Sequence, residues 1–224
     1  TLKAFYKNWY RPNNMAVMVV GDIEPAEAEK MIKAHFGKYT NPAGAPVRPS
    51  IIPIKPRVKP DALVVTDAEA TNTIVQIYNF VKPSQKIKTW ADIRKSMIEG
   101  LVSSLINQRL SELTQKENPP FLFANSNFSP FLRGYSSFTS FAVLSKGTVN
   151  DAIDALMQET NRARQFGFLQ TELDRAKASM LNSADKAVKE KDKSESGRII
   201  SEYINNFLSG TPVPGVVHRY NFLK

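Results

Sequence analysis

Apolar residues fall on helical spacing at Leu2, Phe5, Tyr6 and Trp9, which predicts the end of a helix over residues 2–9, stopped by Pro12 and Asn13-Asn14. The run Met15 to Val20, closed by Gly21-Asp22, predicts a short buried strand. Pro25 opens a second helix with Glu24, Glu27 and Glu29 at its start, Ala28, Met31, Ile32 and Phe36 on one face, and Gly37 as its stop. Ala62–Thr66 and Thr73–Val81 predict two strands around Asp67-Ala68-Glu69-Ala70. Thr89 is a suitable N-cap for a long helix whose stripe runs through Trp90, Ile93, Met97, Leu101 and Leu105, flanked by Ile98, Val102, Leu110 and Leu113 and ended by Pro119-Pro120. Phe121–Phe128 and Tyr135–Leu144 predict two more strands joined by a turn containing Pro130 and Gly134. Helices follow over 150–166, with Ile153, Leu156 and Met157 inward, from a Thr171 cap with Leu173, Ala176, Met180 and Leu181, and over 194–208, closed by Gly210 and Pro212.

The order strand, strand, long helix, strand, strand, helices predicts an α+β fold, a two-layer sandwich with a mostly antiparallel sheet and helices packed on one face. The pattern breaks once. Pro42, Pro46, Pro49, Pro53, Pro56 and Pro60 stand between Asn41 and Pro60, and residues without a backbone donor and with fixed φ cannot build a helix or a central strand there. The expected organisation is a first segment 1–40, a stiff extended linker 41–60 and a second domain 61–224.

The 224 residues, 42% of them hydrophobic, suffice for a real core. The absence of cysteine excludes disulfides, thiolate metal sites and cysteine nucleophiles. No apolar run reaches membrane-spanning length, and no signal peptide is visible. The chain opens at Thr1 inside a helical pattern, as a processed or trimmed chain would. A net charge of +9 favours acidic partners, but the basic residues are scattered. The densest stretch, Lys186 to Lys193, is interrupted by Glu190 and Asp192 and reads as the solvated face of a helix rather than a nucleic-acid site. Steep salt dependence of binding would mark the opposite case.

A search for chemistry returns little. His35 and His218 are the two histidines, far apart and without a partner at helical spacing, so neither is assigned as a metal ligand. No serine lies in a Gly-x-Ser-x-Gly elbow, no phosphate-binding glycine loop occurs, and the carboxylates are dispersed. Phe121, Phe123 and Phe128 could stack bases, but core packing explains them more simply. No residue of this segment is assigned as catalytic, cofactor-binding or metal-binding.

Three stretches resemble one family. Phe5-Tyr6-Lys7-Asn8-Trp9-Tyr10-Arg11-Pro12-Asn13-Asn14-Met15, running into Val19-Val20-Gly21-Asp22 and later Phe36-Gly37, is similar to the end of the catalytic domain of the pitrilysin/insulinase zinc metallopeptidases. Asn107-Gln108-Arg109-Leu110-Ser111-Glu112-Leu113 resembles the Arg-Leu-x-x-Glu-Leu helix of the second domain of that family. Gly167 to Lys177 resembles its Gly-x-x-x-x-Glu-Leu-x-x-Ala-Lys helix.

The resemblance implies that the zinc ligands, an inverted His-x-x-Glu-His helix and a downstream Glu, belong upstream of the part matching Thr1. It also implies an Arg and a Tyr lent to the active site by a second domain. Arg109 matches the Arg, but the Tyr position falls within Phe121-Leu122-Phe123, where nothing can donate to an oxyanion. Arg109 is therefore read as structural or chamber-lining. The chain is expected to be a non-catalytic segment of a zinc metalloendopeptidase, forming the wall of a peptide-enclosing chamber and packing against the other domains of the same polypeptide. Zinc would be held by the parent, and peptide would be its substrate. The alternative is a segment of a zinc-less family member that acts as a scaffold or core subunit. The family also suggests a periplasmic or exported bacterial location. The first 40 residues are expected to lack their strand partners, and so to be mobile or satisfied by another copy of the chain.

Overall fold

The structure, a computed structural model, describes residues 1–48, 52–55, 57–144 and 148–224. Its centre is a three-stranded antiparallel sheet in the order β1-β3-β2, made of β1 (Ile74–Pro83), β2 (Phe123–Leu132) and β3 (Tyr135–Val143). Because β3 is central, its period-two alternation decides which face is core. Phe138, Ser140 and Ala142 point to the buried side, beside Val75 and Ile77 of β1 and Ala124, Ser126 and Phe128 of β2. A bulge at Asn79 then turns Phe80 to that side, where Phe80 and Phe128 flank Phe138 at 6.4 and 4.9 Å.

Helices cover this face alone. Helix α3 (Trp90–Leu113) packs on β2, and α4 (Val149–Phe166) reaches β1. The core joins Val75, Ala124, Phe138 and Ala142 of the sheet to Ile106 and Leu110 of α3, Ala152 and Leu156 of α4, and Phe121 and Leu144 at the strand ends. Both helices begin in capping boxes. The Thr89 hydroxyl accepts the Asp92 N–H while the Asp92 carboxylate accepts the Thr89 N–H, and Thr148 and Asp151 repeat the arrangement. The α+β architecture with helices on one sheet face is as the pattern predicts.

Several local expectations are corrected. Met15–Val20 is not a strand: it is outside any ladder, and Met15, Val17 and Val19 are exposed. Ala62–Thr66 is likewise unpaired, with Leu63, Val64 and Val65 at 87, 84 and 80% exposure. An apolar run makes a strand only where a neighbour supplies hydrogen-bond partners, and none of the described residues does so for either run. Pro130 lies within β2 rather than in the turn. It occupies a register shift of an edge strand, where its missing N–H is tolerated, and Arg133-Gly134 alone make the hairpin loop, with Gly134 at φ +82°. Helix α5 (Gln170–Lys189) is capped from Leu169, not Thr171. The last residues, beyond the predicted helices, form α7 (Gly215–Leu223), which packs on α5 and stacks Phe222 on Trp90 at 4.7 Å.

The first segment carries α1 (Leu2–Trp9) and α2 (Pro25–Phe36), neither with a buried residue, and α6 (Ser196–Ser209) is similarly open. The described residues of the proline-rich stretch form no helix or strand. Side chains tie it down instead. Arg11 donates to the Pro46 carbonyl, the Asn13 N–H donates to Asn41 Oδ1 at 2.9 Å, and the Ile54 N–H donates to the Tyr135 hydroxyl at 2.9 Å.

Candidate functional site: an open sheet face and the ion pair behind the helices

The alternate residues of the sheet form its second face, on which no helix packs among the described residues; at one end of it Tyr135 and Ser137 are buried and the proline-rich stretch reaches Tyr135. Gln76 and Tyr78 of β1, Thr139 and Phe141 of β3, and Phe123, Asn125 and Asn127 of β2 share it by register. They are exposed or half-buried, against the fully buried Ser126 and Ser140 one residue away. The aromatics sit in pairs: Tyr78 meets Phe131 edge-on at 4.9 Å, and Phe123 lies 6.4 Å from Phe141. The Asn127 carboxamide donates to Asn125 Oδ1 at 2.5 Å. None of the strand residues that register places on this face is Lys, Arg, Asp or Glu, although the chain carries 30 basic and 21 acidic residues.

One sheet edge is closed. The outward N–H of Ser126 donates to Asn107 Oδ1 at 2.7 Å, and that of Phe128 to Ser103 Oγ at 3.4 Å, so side chains one turn apart on α3 take up the free donors of edge strand β2.

Behind the helices, Arg109 and Glu172 form a bidentate pair, Nε to Oε1 at 2.7 Å and Nη2 to Oε2 at 2.8 Å, with the side chains 6 and 13% exposed. Arg109 Nη2 also donates to the Gly167 carbonyl at 3.2 Å, and its guanidinium lies 4.8 Å from the Phe168 ring centre. Glu172 in turn accepts the Leu169 N–H at 2.7 Å, capping α5. The hydrogen bonds from Arg109 hold the Glu172 carboxyl down to about 2 against the opposing effect of burial, with the Leu169 N–H helping; the same pair raises Arg109. Glu159 of α4 is buried nearby and meets Arg162 at 3.5 Å. The pair thus ties α3, the turn after α4 and the start of α5 into one body.

Arg109 meets Glu172 and the Gly167 carbonyl within the helical layer, while its buried Nη1 has no hydrogen-bond partner among the described residues. Phe121 is core, Phe128 is half-buried on the helix-covered face against Phe138, and of the three Phe123 alone reaches the open face. His35 lies in α2 and His218 in α7, both exposed. Among the described residues no three His, Asp or Glu side chains gather as a metal site would need, so this donor set does not fit zinc. The Lys186–Lys193 stretch is helix surface with local ion pairs such as Lys189–Asp185 at 2.6 Å. Among the described residues no helix is long and apolar enough to cross a membrane.

Comparison with known proteins gives this arrangement a family. A zinc protease PQQL-like protein of Arabidopsis thaliana is 28% identical over 225 residues, covering 100% of this chain and 20% of the relative. A probable zinc protease PqqL of Escherichia coli is 26% identical over 224 residues, covering 100% of this chain and 24% of the relative. The crystal structure of the periplasmic protease PqqL from Escherichia coli superposes with a TM-score of 0.79 at 27% identity, over 99% of this chain and 24% of that one. The chain therefore spans a fifth to a quarter of the length of these relatives. The family described as the peptidase M16 inactive domain matches residues 1–180, and to that family, the one its sequence motifs resemble, the chain belongs.

Proposed function

We propose that this chain is a non-catalytic segment of a zinc metalloendopeptidase, and that the open sheet face is a wall of the space in which peptide is enclosed. The observation that carries the reading is a sheet with one face backed by helices and the other presenting uncharged strand residues, largely accessible, in a chain of the inactive-domain family. The helical layer and the exposed apolar surfaces of α1, α6 and residues 62–66 are the sides that meet the remaining domains. Residues 1–40 belong to the end of a preceding catalytic-type domain, 41–60 are the linker and 61–224 the second domain; the match of this chain to 47% of the first half of Escherichia coli PqqL supports that arrangement. Zinc would be bound by the parent outside this segment, and would supply activation of water for peptide hydrolysis there. The periplasmic relative supports a periplasmic location.

Two measurements test this. The purified chain is expected to show no peptidase activity and no stoichiometric zinc; metal-dependent cleavage through His35 and His218 would overturn the reading. In the longer polypeptide, a photo-crosslinking residue at Thr139 on the open face should capture peptide substrate, and one at Lys177, exposed on α5, should not. Capture at Lys177 but not at Thr139 would refute the wall.

A further inference from the structure

We propose that the Asn125–Asn127 carboxamide pair on the open face is a clamp for the main chain of an extended, uncharged polypeptide segment; this rests on reading that face as the peptide-facing wall. The two residues lie two apart on β2, so their side chains leave the same face about 6.7 Å apart at the backbone, the repeat of an extended chain lying along the strand. Asn127 Nδ2 donates to Asn125 Oδ1, which couples the two carboxamides. That bond leaves the Asn125 Nδ2 protons and the Asn127 Oδ1 lone pairs, and neither has another side-chain partner among the described residues. One donor next to one acceptor is the complement of a single residue of an extended chain, whose N–H and C=O point to the same side.

The surroundings select for the same occupant. Thr139 pairs with Asn127 across the ladder and Phe141 with Asn125, while Gln76 and Tyr78 follow on β1. This surface offers amide and hydroxyl groups to a backbone and aromatic rings to its side chains. None of these strand residues carries a charge with which to hold a phosphate, a carboxylate or a basic side chain. In a chain of net charge +9, such a stretch favours recognition through amides, hydroxyls and rings over attraction by charge. A polypeptide read through its backbone is bound with little regard to sequence.

The test uses the 224-residue chain and a capped ten-residue peptide of Ser, Gly, Ala and Tyr, followed by backbone amide shifts. Shifts are expected at residues 76–78, 123–127 and 139–141, with an affinity that changes less than about twofold from roughly 50 to 500 mM salt. Replacing the peptide amides by esters, which removes N–H donors and keeps every side chain, should weaken binding about five- to tenfold, as should Asn127→Ala. The ester arm leaves the protein unaltered, so it decides the matter even if a variant misfolds. Shifts on the open face with equal affinity for amide and ester would overturn the clamp and leave the wall. Shifts confined to the helices, no shifts at millimolar peptide, or binding abolished by salt would overturn both.

Discussion

Replacing Glu172 by Gln changes almost no volume and removes one buried charge, leaving Arg109 without its counter-ion. The carboxyl is held from an ordinary 4.5 down to about 2, so at about 1.36 kcal/mol per unit the folded state gains about 3 kcal/mol from its ionisation. This agrees with the roughly 3–5 kcal/mol lost when one member of a buried pair is removed. For a chain of this length about 3 kcal/mol corresponds to a fall in melting temperature of roughly 6–12 °C at pH 7, read by circular dichroism. The pH dependence carries the decisive sign. A depressed carboxyl stabilises fully above its unfolded pKa and loses that contribution as pH falls through its folded one. The gap between the parent chain and E172Q should therefore be constant above about pH 5 and close between 4.5 and about 2. A fall of less than about 2 °C at pH 7, or a gap that persists below pH 2, would refute the assignment of this stability to the ion pair.

Asn107→Ala orphans the buried Ser126 N–H and should cost about 1–3 kcal/mol in urea unfolding, with increased aggregation because it reopens the β2 edge; an unchanged midpoint would show that the helix does not seal that edge. Gly134→Ala places a Cβ at φ +82° and should cost about 1–2 kcal/mol by the same measurement, whereas Arg133→Ala, beside it in the loop, should change stability little. Hydrogen exchange should be fast at Met15–Val20 and 62–66 and slow through β3, which is paired on both sides; protection of 62–66 equal to that of β3 in monomeric protein would contradict its unpaired state.

What the sequence could disclose follows from how far each signal reaches. Thr89 and Asp92 are three residues apart, so a cap is readable before anything is folded. The strands β2 and β3 are joined by two residues, and their alternation already separates core from open face. Met15–Val20 and Ala62–Thr66 show the limit of the same reasoning. Their composition fits strands, and what they lack is a neighbour, which is not a local property. Thr171 illustrates a competition between two start signals. It has the preferred side chain, but Glu172 reaches back to the Leu169 N–H, and Gly167 at φ +69° sets the chain entry two residues earlier. Arg109 and Glu172 were both visible within family-like motifs, yet they stand 63 residues apart, and nothing in either motif says that one holds the other. Asn125 and Asn127 were hidden in a stretch read for its phenylalanines.

The Arg109–Glu172 pair then raises a question of purpose, since a buried ion pair gives little stability that well-packed apolar side chains would not also give. Its geometry is more informative than its energy. Arg109 holds two carboxylate oxygens and the Gly167 carbonyl at once, and Glu172 holds the Leu169 N–H, so the start of α5 is fixed to α3 in one orientation. An apolar contact could slide; this one cannot without leaving a charge uncompensated. For the proposed peptide-facing wall, a backing of that kind would keep the helical layer from shifting behind the sheet. The double variant R109M/E172L separates the two roles. It should recover most of the melting temperature lost in E172Q, because neither charge remains buried alone. It should also show faster hydrogen exchange at Gly167, Phe168 and Leu169 than the parent chain, because the turn has lost its fixed partners. Recovery of stability with unchanged exchange would mean that packing alone sets the position of α5, and that the ion pair is not what fixes it.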